Sequence, residues 1–176
     1  MMIVMVAACG DDLTLPPATF ENVVDTVVLS ALTGTPIGDA SGYDVVFAET
    51  VRTDRNSAFD FAFDVDAGGV ARIHPAGTLG LSAEAGVLRS TQGFDEITTA
   101  PLEGYVADSA LAVEAGTVFV VRSRSTNAQC LLNTLLPRYG KFHVLAVDRL
   151  ARTITLELLV DLNCGYRGLE PGTPED

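Results

Sequence analysis

Three cysteines, two histidines and a short run of aspartates hold most of the chemistry available to these 176 residues. Thiols at Cys9, Cys130 and Cys164 can be acylated, oxidised to a bridge or bound to a metal, and imidazoles at His74 and His143 can move protons or ligate iron. Zinc is disfavoured, because neither Cys130 nor Cys164 has a CxxC partner or a nearby His. Asp60, Asp64 and Asp66 ahead of Gly68 suggest calcium, but the spacing lacks the closing Glu of an EF-hand loop. A solvated strand face explains those aspartates better. Ser90, Ser109 and Ser123 lack a G-x-S-x-G elbow, and no H-E-x-x-H or P-loop occurs. A Ser-His-Asp arrangement would have to recruit His74 or His143 from a distance. An enzyme is therefore not expected.

Cys9 stands apart because of its neighbours. Val4-Met5-Val6-Ala7-Ala8-Cys9-Gly10-Asp11-Asp12 runs from apolar to small to cysteine to polar, and resembles a bacterial lipobox. The resemblance implies cleavage before Cys9, with lipid carried on its thiol and new amino terminus. Residues 1–8 are then a signal peptide remnant, and 9–19 a lipid-anchored tether with Pro16-Pro17 in it. The alternative is an ordinary buried N-terminal strand. Eight residues without Lys or Arg are short for a secretory signal, so a basic n-region is expected upstream of Met1. Cleavage would also discard Met1, Met2 and Met5, the only methionines. The expected address is the cell envelope, facing the periplasm or the cell surface. The chain would meet the membrane only through its N-terminal lipid. Gly10 follows Cys9, so an inner-membrane retention Asp is absent at that position.

With Cys9 set aside, Cys130 and Cys164 are the remaining pair, and outside the cytoplasm such a pair is usually bonded. Two separate buried thiols are the alternative. The formal charge of −12 and pI of about 4.4 exclude nucleic acid as a partner and disfavour anionic headgroups.

The elements that would position these groups are short strands. Phe59-Asp60-Phe61-Ala62-Phe63-Asp64-Val65-Asp66 alternates with a period of two, Ala67-Gly68-Gly69 turns, and Val70 to Ile73 returns. Residues 117–123 are apolar on both faces, as in a central strand. Residues 141–147 and 153–160 flank a loop of about five residues and predict a hairpin. Weaker strands are expected at 26–32, 43–51 and 86–89, with at most a short helical turn near 129–136. The expected fold is all-β, an antiparallel β-sandwich or partly closed barrel. One domain spans 20–168, and 169–176 is a C-terminal tail.

Phe59 to Phe63, Phe94-Asp95-Glu96-Ile97, Ala100-Pro101 through Gly104-Tyr105 to Asp108, and Tyr139 to Asp148 are similar in pattern to the HmuY family of haem-binding bacterial lipoproteins. Phe59 stands where that family has Trp. The resemblance, over about residues 55–162, implies an all-β surface domain and paired axial His or Met ligands for haem. Without methionines, only His74 and His143 could serve, and Tyr139 falls in the strand matching the family's Tyr/Lys strand. His74, His143 and Tyr139 are thus the candidate ligand-binding residues. The leading expectation is an envelope protein with a binding or structural role and no assigned ligand. A haem or small-ligand carrier, then an assembly or adhesion module using an exposed sheet edge, are the alternatives. A hydrolase comes last.

Overall fold

The computed structural model describes residues 15–128, 130 and 135–175. Cys9, the cleavage site before it and most of the expected helical turn lie outside these residues.

Alternating apolar side chains make β4 (Phe61–Val65) and β5 (Ala71–Pro75) a hairpin. Its turn is closed by Asp66, whose Oδ1 accepts the N–H groups of Gly68 and Val70 at 2.9 Å each. Gly69 sits there at φ +78°, a conformation that penalises any Cβ. Phe61, Phe63 and Val65 point into the core beside Ala71 and Ile73. The expected alternation fails one step earlier. Phe59 packs with Val51, Ala62 and Ala76 in a separate cluster, and Asp60 is fully buried instead of solvated. The chain bends there because the Asp60 carboxylate turns inward to meet backbone donors.

Among the described residues, ten strands form two antiparallel sheets. The first has the order β1 (Val24–Ser30), β10 (Thr153–Asp161), β9 (Tyr139–Asp148), β8 (Val118–Arg122), β6 (Gly86–Arg89). The second has β3 (Glu49–Val51), β2 (Gly42–Asp44), β4, β5, β7 (Leu111–Ala112). Neither sheet closes on itself, so the architecture is the sandwich and not the barrel. The strand expected over 43–51 is two strands. Asp44 Oδ1 and Asp60 Oδ2 each accept an N–H, from Val46 and Val45 at 2.8 Å, and hold a turn between β2 and β3. The described helical pieces are two 3-10 turns, Ala76–Leu79 and Phe94–Glu96, neither of them near 129–136. Thr126 and Leu136 form an isolated antiparallel bridge.

Between the sheets, Tyr43, Phe61, Phe119 and Phe142 interlock, with Phe61 and Phe142 edge-to-face at 5.1 Å and Phe119 stacked on Phe142 at 5.2 Å. Each such pair adds about 0.5–1.5 kcal/mol beyond its buried area. Gly140 makes this packing fit, because a Cβ there would come within 2.9 Å of Val160 and 3.0 Å of the Phe142 ring.

Both ends of the chain extend the domain beyond the expected 20–168. Leu169 is fully buried and Gly172 pairs with Asn22, so the expected tail is packed at least that far. On the other side, Pro16 O accepts the Tyr166 hydroxyl at 2.8 Å, and Asn163 Oδ1 accepts the N–H groups of Thr19 and Phe20. The last residues of the expected tether therefore lie against the domain.

Candidate functional site

Strand β6 edges one sheet, where Val87 is bridged to Val106, and β7 edges the other, and the contact from Arg89 to Ala112 sets the two side by side. Arg89 at the end of β6 forms part of the wall of three depressions: two of about 270 and 260 Å³ beside β7, and one of about 170 Å³ on the outer face of β6 and β8 next to Ile97 and Pro101. Leu88, Val106, Leu111 and Val113 supply apolar walls. The Arg89 guanidinium donates to the carbonyl of Ala112, joining the two sheets. None of the ion pairs among the described residues includes it. Glu114 and Arg149 join Arg89 around the depression beside β7, so the groove can hold an extended, partly apolar ligand and offer a cation to an anionic group on it. Each depression alone is smaller than an ordinary cofactor pocket. Sequence reasoning missed this groove, since Arg89 read only as a strand end.

The residues expected to bind a ligand lie elsewhere, and the two histidines are not brought together. His74 shares the outer face of β4–β5 with Arg72 and Ala62, while Ile73 and Phe61 face the core. Its Nδ1 is 3.4 Å from the Thr78 hydroxyl, which donates its proton to Pro75 O at 2.8 Å. Burial holds the His74 imidazole below its ordinary pKa. His143 points out of the opposite sheet, where its Nδ1 meets Glu157 Oε2 at 3.2 Å. The sandwich core separates the two rings, so one molecule offers no shared bis-His site for haem. Tyr139 and Lys141 share the His143 face. Tyr139 is covered by Tyr105, with ring centroids 6.2 Å apart, and Arg122 lies 5.2 Å from the Tyr105 ring. Lys141 is 2% exposed, and its Nζ donates to Phe94 O at 2.9 Å and Ile97 O at 3.1 Å. Its ammonium, held below the ordinary Lys range by burial, clips the 94–97 turn to the sheet.

Cys130 and Cys164 form the expected disulfide, with Cα atoms 5.6 Å apart. It packs on a buried polar cluster that patterning did not reveal. Arg138 is fully buried, 3.6 Å from Cys164 Sγ, and donates to Val46 O and Ala128 O. Nearby, Arg124 pairs with Asp44 at 2.8 Å and Asp60 at 3.2 Å. At the end of β10, Asp161 accepts Asn163 N and Nδ2, both at 2.8 Å. Among the described residues no group of three or more His, Cys, Asp or Glu side chains is placed to hold a metal.

Burial pushes the Asp161 carboxyl up from 3.8 to about 6, against the opposing pull of its hydrogen bonds and of Arg138. A raised carboxyl favours the folded state only while protonated. Its contribution is full below about pH 4, falls as pH rises toward 6, and is absent above that. The shift corresponds to about 3 kcal/mol. Chemical denaturation of the wild type between those limits should lose stability that Asp161→Asn does not lose. Parallel curves for the two proteins would show that the carboxyl is not perturbed.

No protein-family model matches the chain, and no curated protein matches it.

Proposed function

We propose that this chain is a lipid-anchored cell-envelope protein with a binding role, and that the groove around Arg89 receives the ligand. The observation that carries the anchoring half is the pairing of Cys130 with Cys164. A bridge of this kind suits an oxidising compartment. It also leaves Cys9, in its lipobox-like setting, as the cysteine free to be acylated. The groove supports the binding half through the apolar walls that Val87, Val106 and Leu111 supply and through Arg89, which is in none of the ion pairs among the described residues. The haem-carrier alternative loses support from the placement of His74 and His143 on opposite outer faces.

Feeding bacterial cells a fatty-acid analogue tests the anchor. Wild type should take up label and move with the membrane fraction, and Cys9→Ser should do neither. Label that survives the substitution overturns the anchoring. A second reading, an assembly module, is favoured by one feature: among the described residues the middle of the β1 edge has no neighbouring strand.

A further inference from the structure

We infer that β1 pairs with β1 of a second copy of this chain, antiparallel and centred on Thr26. The inference deepens the assembly reading and does not depend on the lipid anchor.

The backbone of β1 shows which of its groups are unused. In an antiparallel pair, successive residues turn their N–H and C=O alternately toward the neighbour and away. Ala31 N–H bonds to Arg152 O, on the β10 side, whereas Ser30 N–H bonds to Ala40 O, on the opposite side. Stepping back by twos along the register with β10, Leu29, Val27 and Asp25 face β10, and Val28, Thr26 and Val24 face outward. At the far end Asn22 exchanges both of its backbone bonds with Gly172. Among the described residues the outer edge is thus closed by Ala40 at one end and Gly172 at the other, and open across Val24, Thr26 and Val28.

Natural edge strands are guarded by bulges, prolines or charges. Here β1 pairs with β10 without a register shift. Its guard is Asp25, whose Oδ1 accepts the Thr26 N–H at 2.7 Å. Exposed apolar side chains flank that point, Val24 at 42% and Val28 at 56%.

The occupant follows from the symmetry of this window. Its three outward residues read valine, threonine, valine in either direction. A two-fold axis through Thr26 sets Val24 opposite Val28 of the second copy and Thr26 opposite its counterpart. Every open N–H and C=O then meets a complement, and β-branched pairs meet across the junction. Asp25 falls opposite Val27 of the second copy, so like charges are not directly opposed. The pairing joins two five-stranded sheets into one, and requires the Asp25 carboxylate to release Thr26 N–H.

The test uses the full chain carrying Cys9→Ser, so that lipid cannot drive association. Sedimentation over a concentration series should show a reversible dimer. Val28→Lys should weaken it by about tenfold or more while leaving the circular dichroism unchanged. Asp25→Ala should strengthen it. Mild oxidation of Thr26→Cys should yield a cross-linked dimer, and Thr50→Cys on the other sheet should not. A monomer at all concentrations in both the parent and Asp25→Ala overturns the inference, as does a dimer indifferent to Val28→Lys. Cross-linking from position 26 in cells only to a different protein assigns the edge to that partner, and also overturns it. None of these results bears on whether Cys9 is acylated.

Discussion

Replacing Cys130 and Cys164 together by alanine lowers the unfolding free energy by about 3–4 kcal/mol on the chain-entropy account of a 34-residue separation. Reductant applied to the wild type should have the same effect. In a domain of this size that is about 6–16 °C in melting midpoint. The closed segment contains the whole of β9 and β10, the longest strands in the structure, and they form the interior of their sheet. In the unfolded chain the bridge holds their ends together before any pairing occurs. In the folded state it covers Arg138, whose Nη2 lies 3.6 Å from Cys164 Sγ. Losing the bridge therefore also exposes a buried guanidinium to local opening, so a shift above the entropic value is the expected deviation. Thermal melts with and without reductant read both effects. The alanine pair should be indifferent to reductant, and a wild type that melts unchanged after reduction would show that the bridge contributes nothing.

That bridge was legible because it needs only arithmetic: with Cys9 set aside for its lipobox-like setting, two cysteines remain. The β4–β5 hairpin was legible for a different reason. Phe61, Phe63 and Val65 alternate with Ala62 and Asp64, and a strand covered more fully on one face leaves that pattern in composition alone. The pattern then misled at its start, since Asp60 has the spacing of a solvated residue and the surroundings of a core one. Period-two reading assigns a face and says nothing about what covers it. Likewise Val45 to Ala48 look like strand residues, and become a turn in which the local Asp44 and the distant Asp60 accept the Val46 and Val45 amides. The groove was not legible, because β6 and β7 belong to different sheets and meet only through the topology. Nor can spacing reveal that His74 and His143 stand on opposite faces of a sandwich. Arg138 is the extreme case. Next to Tyr139 at a strand start it resembles a solvent-facing end, yet it is among the largest fully buried side chains of the described residues.

Asp60→Ala is expected to cost about 3–5 kcal/mol, the range found when one partner of a buried ion pair is removed. Asp60 has no exposed surface, and burial pushes its carboxyl above the ordinary range. It stays in place because every direction is answered. Oδ2 accepts Val45 N–H at 2.8 Å, and Oδ1 accepts Arg124 N–H at 2.8 Å and faces Arg124 Nη1 at 3.2 Å. Val45 follows β2 in one sheet and Arg124 follows β8 in the other, so this carboxylate ties the two sheets at the disulfide end. Removing it leaves two amides without acceptors and Arg124 with Asp44 alone. Asp60→Asn should be nearly as damaging, although it keeps the shape. Whichever way the amide is placed, its NH₂ group opposes one of the two N–H donors. Asp66, in the same period-two series, pairs with Arg72 while both side chains are about one-third exposed, at 33% and 34%. Its substitution should change stability little by comparison. A double-mutant cycle with Arg124→Met separates charge pairing from backbone capping. If pairing dominates, the double variant is markedly more stable than the sum of the single losses predicts. If the amides dominate, the losses add, because Arg124→Met keeps the backbone N–H that Asp60 caps. Equal and small effects of Asp60→Ala and Asp66→Ala in denaturant titrations would show that Asp60 lies on the solvated face that its spacing suggests.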